Sequence, residues 1–219
     1  MHQVHRLNPD HIAEVRSERE RRGFRERDNV DGRGLKLHRQ LIEPERPAKF
    51  ISLVRDPVSR NVSAFFENFV GRNVDEWDVP NSLQGLVDAF LREYSHSVPL
   101  QWFEREPATT LGIKVYERSF LPKRGYATFQ NGPFELLVLR AELPDAEKGD
   151  VIQSFLGMWA FQVQRANTSG SKEYAEKYRV FKREVELPGA YLRKMLDSRY
   201  ARHFYSTEER KQVYERWSS

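Results

Sequence analysis

The stretch Phe50-Ile51-Ser52-Leu53-Val54-Arg55-Asp56-Pro57-Val58-Ser59-Arg60-Asn61-Val62-Ser63-Ala64-Phe65-Phe66 carries the strongest fold signal in the chain. Its first five residues form a short, almost continuously apolar run, which is typical of a strand buried on both faces, as in a parallel sheet. Asp56 and Pro57 then supply an N-cap and a first helical residue, so the pattern predicts a helix from Pro57 to about Val70. The stretch therefore predicts a strand, an arginine at its carboxyl end and a helix that begins at once.

The segments on either side predict a mixed α/β domain. Residues Pro9–Asp31 alternate in charge and predict a solvated helix that frays into a loop. Helical spacing of apolar residues predicts a helix over Asn81–Tyr94, whereas Gly112–Tyr116 has the pattern of a strand. Strand patterns on both sides of Asn131-Gly132 predict a β-hairpin. From Asp150 onward the pattern is helical, with predicted helices at Val151–Met158, Lys172–Phe181, Gly189–Leu196 and after Ser206, where Glu209 completes a capping box.

The amino-acid composition limits the classes of protein to which the chain can belong. The chain has 219 residues, 39% hydrophobic and 31% charged, which suffices to enclose a core and excludes disorder over its whole length. It has no cysteine, so a disulfide scaffold, a thiolate zinc site and a cysteine nucleophile are excluded. The net charge of +4 comes from 36 Lys and Arg against 32 Asp and Glu, and this mixture suits a local anionic ligand better than extended nucleic-acid binding.

No apolar run approaches the roughly 20 residues that cross a bilayer, and the first ten residues lack the apolar core of a signal peptide. We therefore expect a protein without a transmembrane segment, and the absence of cysteine makes the cytoplasm the default location. There is no internal repeat and no convincing linker, so residues 1–219 are predicted to form one domain.

The residues after the first strand predict an anion site. Ligands of α/β sheets bind at the carboxyl ends of parallel strands, where Arg55 would stand. Its guanidinium offers a fixed fork of donors to a phosphate, and the hydroxyl of Ser63 could add a neutral donor. Spacing alone does not decide whether the two converge, because Ser63 lies nearly two turns into the helix and is equally acceptable as a small packing residue.

The same residues resemble a known motif. An Arg-Asp-Pro, a further arginine, a serine eight positions after the first arginine and an aromatic pair are similar to the 3′-phosphate-binding motif of sulfotransferases that use 3′-phosphoadenosine 5′-phosphosulfate (PAPS). The order of further segments resembles bacterial sulfotransferase-like proteins described as capsular polysaccharide synthesis proteins, over nearly the whole chain. These segments are His5-x-Leu7-Asn8-Pro9, Trp102-Phe103, Gly112–Tyr116, Gly125-Tyr126, Leu136–Arg140 and His203-Phe204-Tyr205-Ser206.

The resemblance implies a P-loop-like, three-layer α/β fold with a central, largely parallel sheet, an added hairpin and a helical C-terminal third. It implies that Arg55 and Ser63 bind the 3′-phosphate of PAPS, and that Arg165 and Lys172 belong to a late basic loop that closes over the same phosphate. It also gives His5 the position of the catalytic base, with His2 as a neighbouring candidate. We expect His11, His38, His96 and His203 to be surface or packing residues, and no metal is implied.

One feature of the resembled family has no counterpart in the sequence. The family begins with a strand and a loop that holds the 5′-phosphosulfate with backbone amides and a lysine, and no glycine- and lysine-containing loop of this kind follows an apolar strand here. The sequence is therefore expected to lack the first strand and this loop, through truncation or through an incomplete active site.

Three functions follow from these observations. The first is transfer of a sulfuryl group from PAPS, as nucleotide co-substrate, to a hydroxyl of a carbohydrate or capsular polysaccharide. The second is a truncated, inactive sulfotransferase-like protein that binds a nucleotide or glycan without turnover. The third is a basic nucleic-acid-binding module, which the mixing of charges disfavours, so we expect no nucleic-acid partner. The acceptor and the oligomeric state are not predicted by the sequence.

Overall fold

A computed structural model of the protein describes residues 6–21, 28–67, 80, 82–161 and 174–218. Within those residues the helices are α1 Pro9–Arg21, α2 Asp28–Leu37, α3 Pro57–Phe65, α4 Leu83–Glu93, α5 Val98–Phe103, α6 Thr109–Leu111, α7 Asp145–Leu156, α8 Ala175–Glu184, α9 Gly189–Leu196, α10 Arg199–Phe204 and α11 Thr207–Ser218. The strands are β1 Ala48–Val54, β2 Tyr126–Asn131 and β3 Phe134–Arg140. Single π-helical turns cover His38–Ile42 and Glu104–Ala108, and a 3-10 turn covers Val115–Glu117.

The strands form one sheet in the order β1-β3-β2. The predicted hairpin is confirmed: β2 and β3 are antiparallel, with Asn131 opposite Phe134 and the pair Gly132-Pro133 as the loop. Gly132 has a φ of 52°, which glycine adopts without steric cost. β1 pairs in parallel with β3, so the mixed α/β class is confirmed. The P-loop-like, three-layer fold with a largely parallel sheet is not confirmed, because the strands of the described residues give one parallel and one antiparallel pairing.

Strand β1 is less buried than its sequence predicts. Leu53 is 61% exposed, and Val54 is the residue of the strand that is fully buried. The prediction of burial on both faces is therefore wrong. The physical reason is the position of β1 at an edge of the three-stranded sheet, where the described residues provide a neighbouring strand on one side alone.

The predicted strand at Gly112–Tyr116 is also wrong. Gly112 ends α6 in the left-handed conformation, with a φ of 66°. The backbone N–H of Ile113 then donates to the carbonyl of Pro107 at 3.1 Å, which satisfies a carbonyl of the preceding helical turn. Since this hydrogen bond ties the segment to the helix before it, the apolar run continues into a 3-10 turn instead of a sheet ladder.

Contacts between Cα atoms divide the chain into two compact units. Unit 1 comprises 1–53, 101–121 and 126–139, and it contains α1, α2, α6, β2 and nearly all of β1 and β3. Unit 2 comprises 54–100, 122–125 and 140–219, and it contains α3, α4 and α7 to α11. The organisation of residues 1–219 as a single domain stays a prediction.

The core of unit 2 is built around the apolar face of α3. Val62, Phe65 and Phe66 are fully buried, as predicted, and Phe66 packs edge-on against Phe181 of α8 with ring centroids 5.2 Å apart. The predicted continuation of this helix from residue 68 to Val70, including Phe69, lies outside the described residues. Helix α3 is therefore held between α4, α8 and α9 by burial of its aromatic side.

In the described residues of the C-terminal third the predicted helical structure is confirmed, with different boundaries. Helix α7 begins at Asp145, earlier than predicted, and ends where Gly157 adopts a φ of 68°. Helix α10 is an additional helix that the sequence analysis did not predict. The capping box of α11 is present: the Ser206 N–H donates to Glu209 Oε2 at 2.8 Å, and the Glu209 N–H donates to Ser206 Oγ at 3.2 Å.

Candidate functional site

The candidate site lies in unit 2, where the two parallel strands end. The backbone N–H of Ala141 donates to the carbonyl of Val54 at 2.7 Å, so the carboxyl ends of β1 and β3 lie side by side. Arg55 and Asp56 follow β1, while Arg140 closes β3 and Glu142 follows it. Because ligands of α/β folds bind at the carboxyl edge of parallel strands, these four charged residues define the candidate site.

Arg55 is fixed through its backbone. Its N–H donates to the hydroxyl oxygen of Tyr200 at 3.2 Å, and that hydroxyl donates to the Arg55 carbonyl at 2.9 Å. Tyr200 belongs to α10 and is buried, so the hydroxyl is a rigid clamp on the residue after the strand. The guanidinium is half-buried and has no hydrogen bond or ion pair with the residues that the structure describes. Its five N–H donors can therefore bind an anion.

Asp56 caps α3, as the sequence predicted. Its carboxylate accepts the Ser59 N–H at 2.8 Å, and Pro57 occupies the first helical position. The Asp56 N–H donates in turn to Glu142 Oε1 at 3.2 Å. Burial raises the pKa of Asp56 above its usual value, although the Ser59 hydrogen bonds and the charge of Arg55 oppose the change. The start of α3 is thus occupied by a carboxylate of the chain itself.

Arg140 is committed to internal contacts. Its Nη1 donates to Glu209 Oε1 at 2.6 Å and to the Pro122 carbonyl at 3.0 Å, and its Nε lies 3.7 Å from Glu142 Oε2. The guanidinium also lies over the ring of Tyr205, 4.4 Å from the centroid. With carboxylates on two sides and an aromatic face beneath it, this buried cation acts as a structural element.

Glu142 connects the two strand ends. Besides the Asp56 N–H, it accepts the Tyr205 hydroxyl, at 3.1 Å to Oε1 and 3.3 Å to Oε2. Burial raises the pKa of Tyr205, so the phenol stays protonated and remains a donor. The Glu142 carboxylate therefore holds the start of α3 against the segment that follows α10.

Ser63 lies on α3, on the same helical face as Ser59 and Asp56, about 10 Å along the axis from the cap. Its side chain is half-buried, and its hydroxyl has no partner among the described residues. The neighbouring Arg60 is engaged, because its Nη1 donates to Tyr94 and Asn61 at 3.0 Å each. Arg55, which lies just before the start of α3, and Ser63, which lies near its end, thus both have donors that the described residues do not use.

The remaining predicted site residues, His5, Arg165 and Lys172, lie outside the described residues, and so does His2. Glu142, Tyr200 and Tyr205 are site residues that the sequence did not predict. One signal could have indicated this edge, because the apolar run Leu136–Leu139 is followed by Arg140 and Glu142 in the same way that β1 is followed by charged residues. The two tyrosines come from distant segments, so spacing gives no indication of them.

Comparison with known proteins identifies a family. Residues 76–206 match the profile of the NKWYS family, which is described as "Putative capsular polysaccharide synthesis protein". The matched region begins after Arg55 and Ser63 and includes α4 to α10, with Arg140, Glu142 and both tyrosines of the site. No curated protein and no protein of solved structure matches the chain significantly. In the described part of the chain, none of the helices is both long and apolar enough to span a bilayer. Since the matched region is more than half of the chain, the protein belongs to the NKWYS family.

Proposed function

We propose that the protein transfers a sulfuryl group from PAPS to a hydroxyl of a carbohydrate, in the synthesis of a polysaccharide in the cytoplasm. The observation that carries the proposal is Arg55, an arginine clamped at the carboxyl end of a parallel strand with its guanidinium unpaired among the described residues. Such a group suits the doubly charged 3′-phosphate that distinguishes PAPS from other adenosine nucleotides. The family supports a polysaccharide as the acceptor.

In this proposal the 3′-phosphate binds between Arg55 and Ser63. The guanidinium gives two parallel charged hydrogen bonds, and the serine hydroxyl gives a third, neutral one. Asp56, on the face of α3 that also presents Ser63, and Glu142 carry negative charge at this edge, but N–H and O–H groups of the chain already donate to both carboxylates. Arg55 and Ser63 retain donors that the described residues do not use, so a phosphate held by both would fix the orientation of the nucleotide, which is the main contribution that a protein makes to group transfer.

Sulfuryl transfer also needs a base and a cation at the leaving phosphate. The sulfur–oxygen bond to the 5′-phosphate breaks as the acceptor oxygen attacks, the acceptor proton passes to the base, and adenosine 3′,5′-bisphosphate leaves. The resemblance to PAPS-dependent sulfotransferases assigns the base to His5, and Arg165 and Lys172 to a loop over the 3′-phosphate. These three assignments are part of the proposal.

The first experiment is calorimetric titration of the whole chain with adenosine 3′,5′-bisphosphate. We expect binding that prefers this compound to the 2′,5′ isomer. Arg55→Ala should weaken binding at least about tenfold, as expected for loss of a charged hydrogen-bonded pair, and Ser63→Ala by a smaller factor. Arg202→Ala on α10 and Ser154→Ala on α7 are matched controls, because both side chains are exposed on helices of the same unit.

The outcomes separate the possible functions. Equal affinity for the two isomers, or unchanged affinity in Arg55→Ala, would refute the phosphate site. Specific binding followed by transfer of labelled sulfate from PAPS to polysaccharide would support the enzyme. Specific binding without any transfer would favour the inactive nucleotide-binding alternative. Binding of duplex DNA with a steep salt dependence would favour the nucleic-acid module.

A further inference from the structure

A second arrangement of functional groups lies in unit 1, at the start of α1. Asn8 caps this helix, since its Oδ1 accepts the Asp10 N–H at 3.0 Å, and Pro9 takes the first helical position. The Asn8 side chain also donates to the carbonyl of Arg105 at 2.8 Å. The start of α1 is thus bound to the π-helical turn Glu104–Ala108, which presents a carboxylate to it.

That carboxylate is Glu106, whose side chain is 2% exposed. Its Oε2 accepts two backbone N–H groups, from Leu7 at 2.6 Å and from Asn8 at 3.0 Å. Negative charge is favourable here because these amides stand at the N-terminal end of a 13-residue helix. One carboxylate oxygen is therefore fully engaged and fixed in orientation, which leaves the other oxygen to face α1.

The other oxygen, Oε1, lies 2.5 Å from Nδ1 of His11, in the first turn of α1. A carboxylate can only accept, so Nδ1 carries the proton in this pair, and in the neutral ring Nε2 carries the lone pair. The His11 side chain is 11% exposed. Its Nε2 has no partner among the described residues, and it is not one of their fully buried polar atoms.

We propose that His11 and Glu106 form a base dyad, in which Glu106 fixes the tautomer and His11 Nε2 accepts a hydrogen bond from the hydroxyl of a ligand such as a sugar. The arrangement has the two parts that a histidine base requires: a buried acceptor that orients one ring nitrogen, and a second nitrogen that is open to a ligand. Glu106 is the positioning residue. The proposal concerns unit 1 by itself and does not depend on the nucleotide site.

Unit 1 also contains a matched pair for comparison. His38 Nδ1 lies 3.3 Å from Glu43 Oε1 without a hydrogen bond, the Glu43 side chain is 59% exposed, and no backbone N–H of the described residues donates to its carboxylate. This carboxylate can rotate and exchange its hydrogen bonds with water. The His38–Glu43 pair therefore has the same side-chain types without the fixed orientation.

The first test is nitrogen-15 NMR of the histidine rings in the full chain, with the six histidines assigned by substitution. For neutral His11 we expect a protonated Nδ1 and an unprotonated Nε2. Glu106→Gln should invert this tautomer, because the two backbone N–H groups retain the amide oxygen and turn the amide NH₂ toward Nδ1. Glu43→Gln should leave the tautomer of His11 unchanged and should not invert that of His38.

The second test measures the reactivity of the lone pair with diethyl pyrocarbonate, mapped by peptide mass spectrometry. Acylation of Nε2 should be at least about tenfold slower in Glu106→Gln than in the wild type, and unaffected by Glu43→Gln. Circular dichroism checks that each variant is folded. A wild-type His11 with its neutral-state proton on Nε2, or acylation as slow as that of a protected histidine, would overturn the proposal even if the variant did not fold.

Discussion

Replacement of Asp56, the cap of α3, tests whether the edge of the sheet is held by a hydrogen bond or by charge. In Asp56→Ala the Ser59 N–H loses its partner in a place where both residues are buried. Loss of an N-cap costs about 0.5–2 kcal/mol, and leaving a buried N–H unpaired costs about 1–3 kcal/mol. These ranges describe the same lost bond, so we expect a decrease of about 2 kcal/mol in the free energy of unfolding.

Asp56→Asn separates the bond from the charge, since an asparagine side chain caps a helix as well as aspartate does. Burial raises the pKa of Asp56 in the folded protein, so between its unfolded pKa of about 3.9 and its folded value the native state binds more protons than the unfolded state. Ionisation of Asp56 thus lowers stability as the pH rises through this window. As the pH rises between these two pKa values, we expect the free energy of unfolding of Asp56→Asn to increase relative to that of the wild type. Below the unfolded pKa, the difference between the two proteins should be constant.

The assay is thermal and urea-induced unfolding of the wild type and both variants from pH 3 to pH 8. At neutral pH, Asp56→Ala should lower the melting temperature by roughly 4–8 °C, from about 2–4 °C per kcal/mol in a chain of this size. Ser82→Ala is the control, because its hydroxyl caps α4 in an exposed position. An Asp56→Asn variant that loses stability relative to the wild type as the pH rises would refute the reasoning and show that the carboxylate charge stabilises the edge.

Further substitutions test other parts of the fold. Arg140→Met should destabilise unit 2 by about 1–3 kcal/mol, because it removes a buried cation from two partly exposed carboxylates, and urea unfolding would measure this. Gly112→Ala should cost about 1–2 kcal/mol, since it places a Cβ at a φ of 66° and against Asn131 Nδ2; an unchanged melting temperature would contradict this. Phe66→Ala should cost about 3–5 kcal/mol by leaving a cavity in the core of unit 2. Burial lowers the pKa of His96, so the stability that the neutral ring provides should be lost as the pH falls below about 6.5, and His96→Gln should flatten this part of the pH profile.

The elements that sequence predicts correctly here are those with local causes. The Asp56 cap, the start of α3 at Pro57, the hairpin and the Ser206 capping box each depend on residues a few positions apart. Burial of β1 could not be predicted in the same way, because it depends on how many strands flank it. The segment after Gly112 was predicted wrongly for a related reason: its apolar pattern suits a strand, but a hydrogen bond to Pro107 ties it to the preceding turn.

The candidate site likewise contains residues that the local sequence predicts and residues that only long-range contacts bring to it. Arg55 is recognisable from the sequence because it follows an apolar run and precedes a cap, whereas its clamp comes from Tyr200, 145 residues further along the chain. Glu142 accepts hydrogen bonds from the Asp56 N–H and the Tyr205 hydroxyl. The Asp56 N–H becomes its neighbour only when β1 and β3 pair, so the local sequence does not predict this role. The base dyad has the same character, since Glu106 is separated from His11 by 95 residues.

The two arginines at the strand ends show why position alone does not assign a ligand. Both stand at the carboxyl edge of the parallel pair, where an anion would be expected. Arg140 is paired with the carboxylates of Glu142 and Glu209, so an added phosphate would have to displace two partly buried ion pairs. Arg55 is held by its backbone alone, and its guanidinium retains donors that the described residues do not use. If a phosphate binds at this edge, substitution of Arg55 should therefore reduce the affinity for the phosphate, while substitution of Arg140 should reduce the stability of the folded protein.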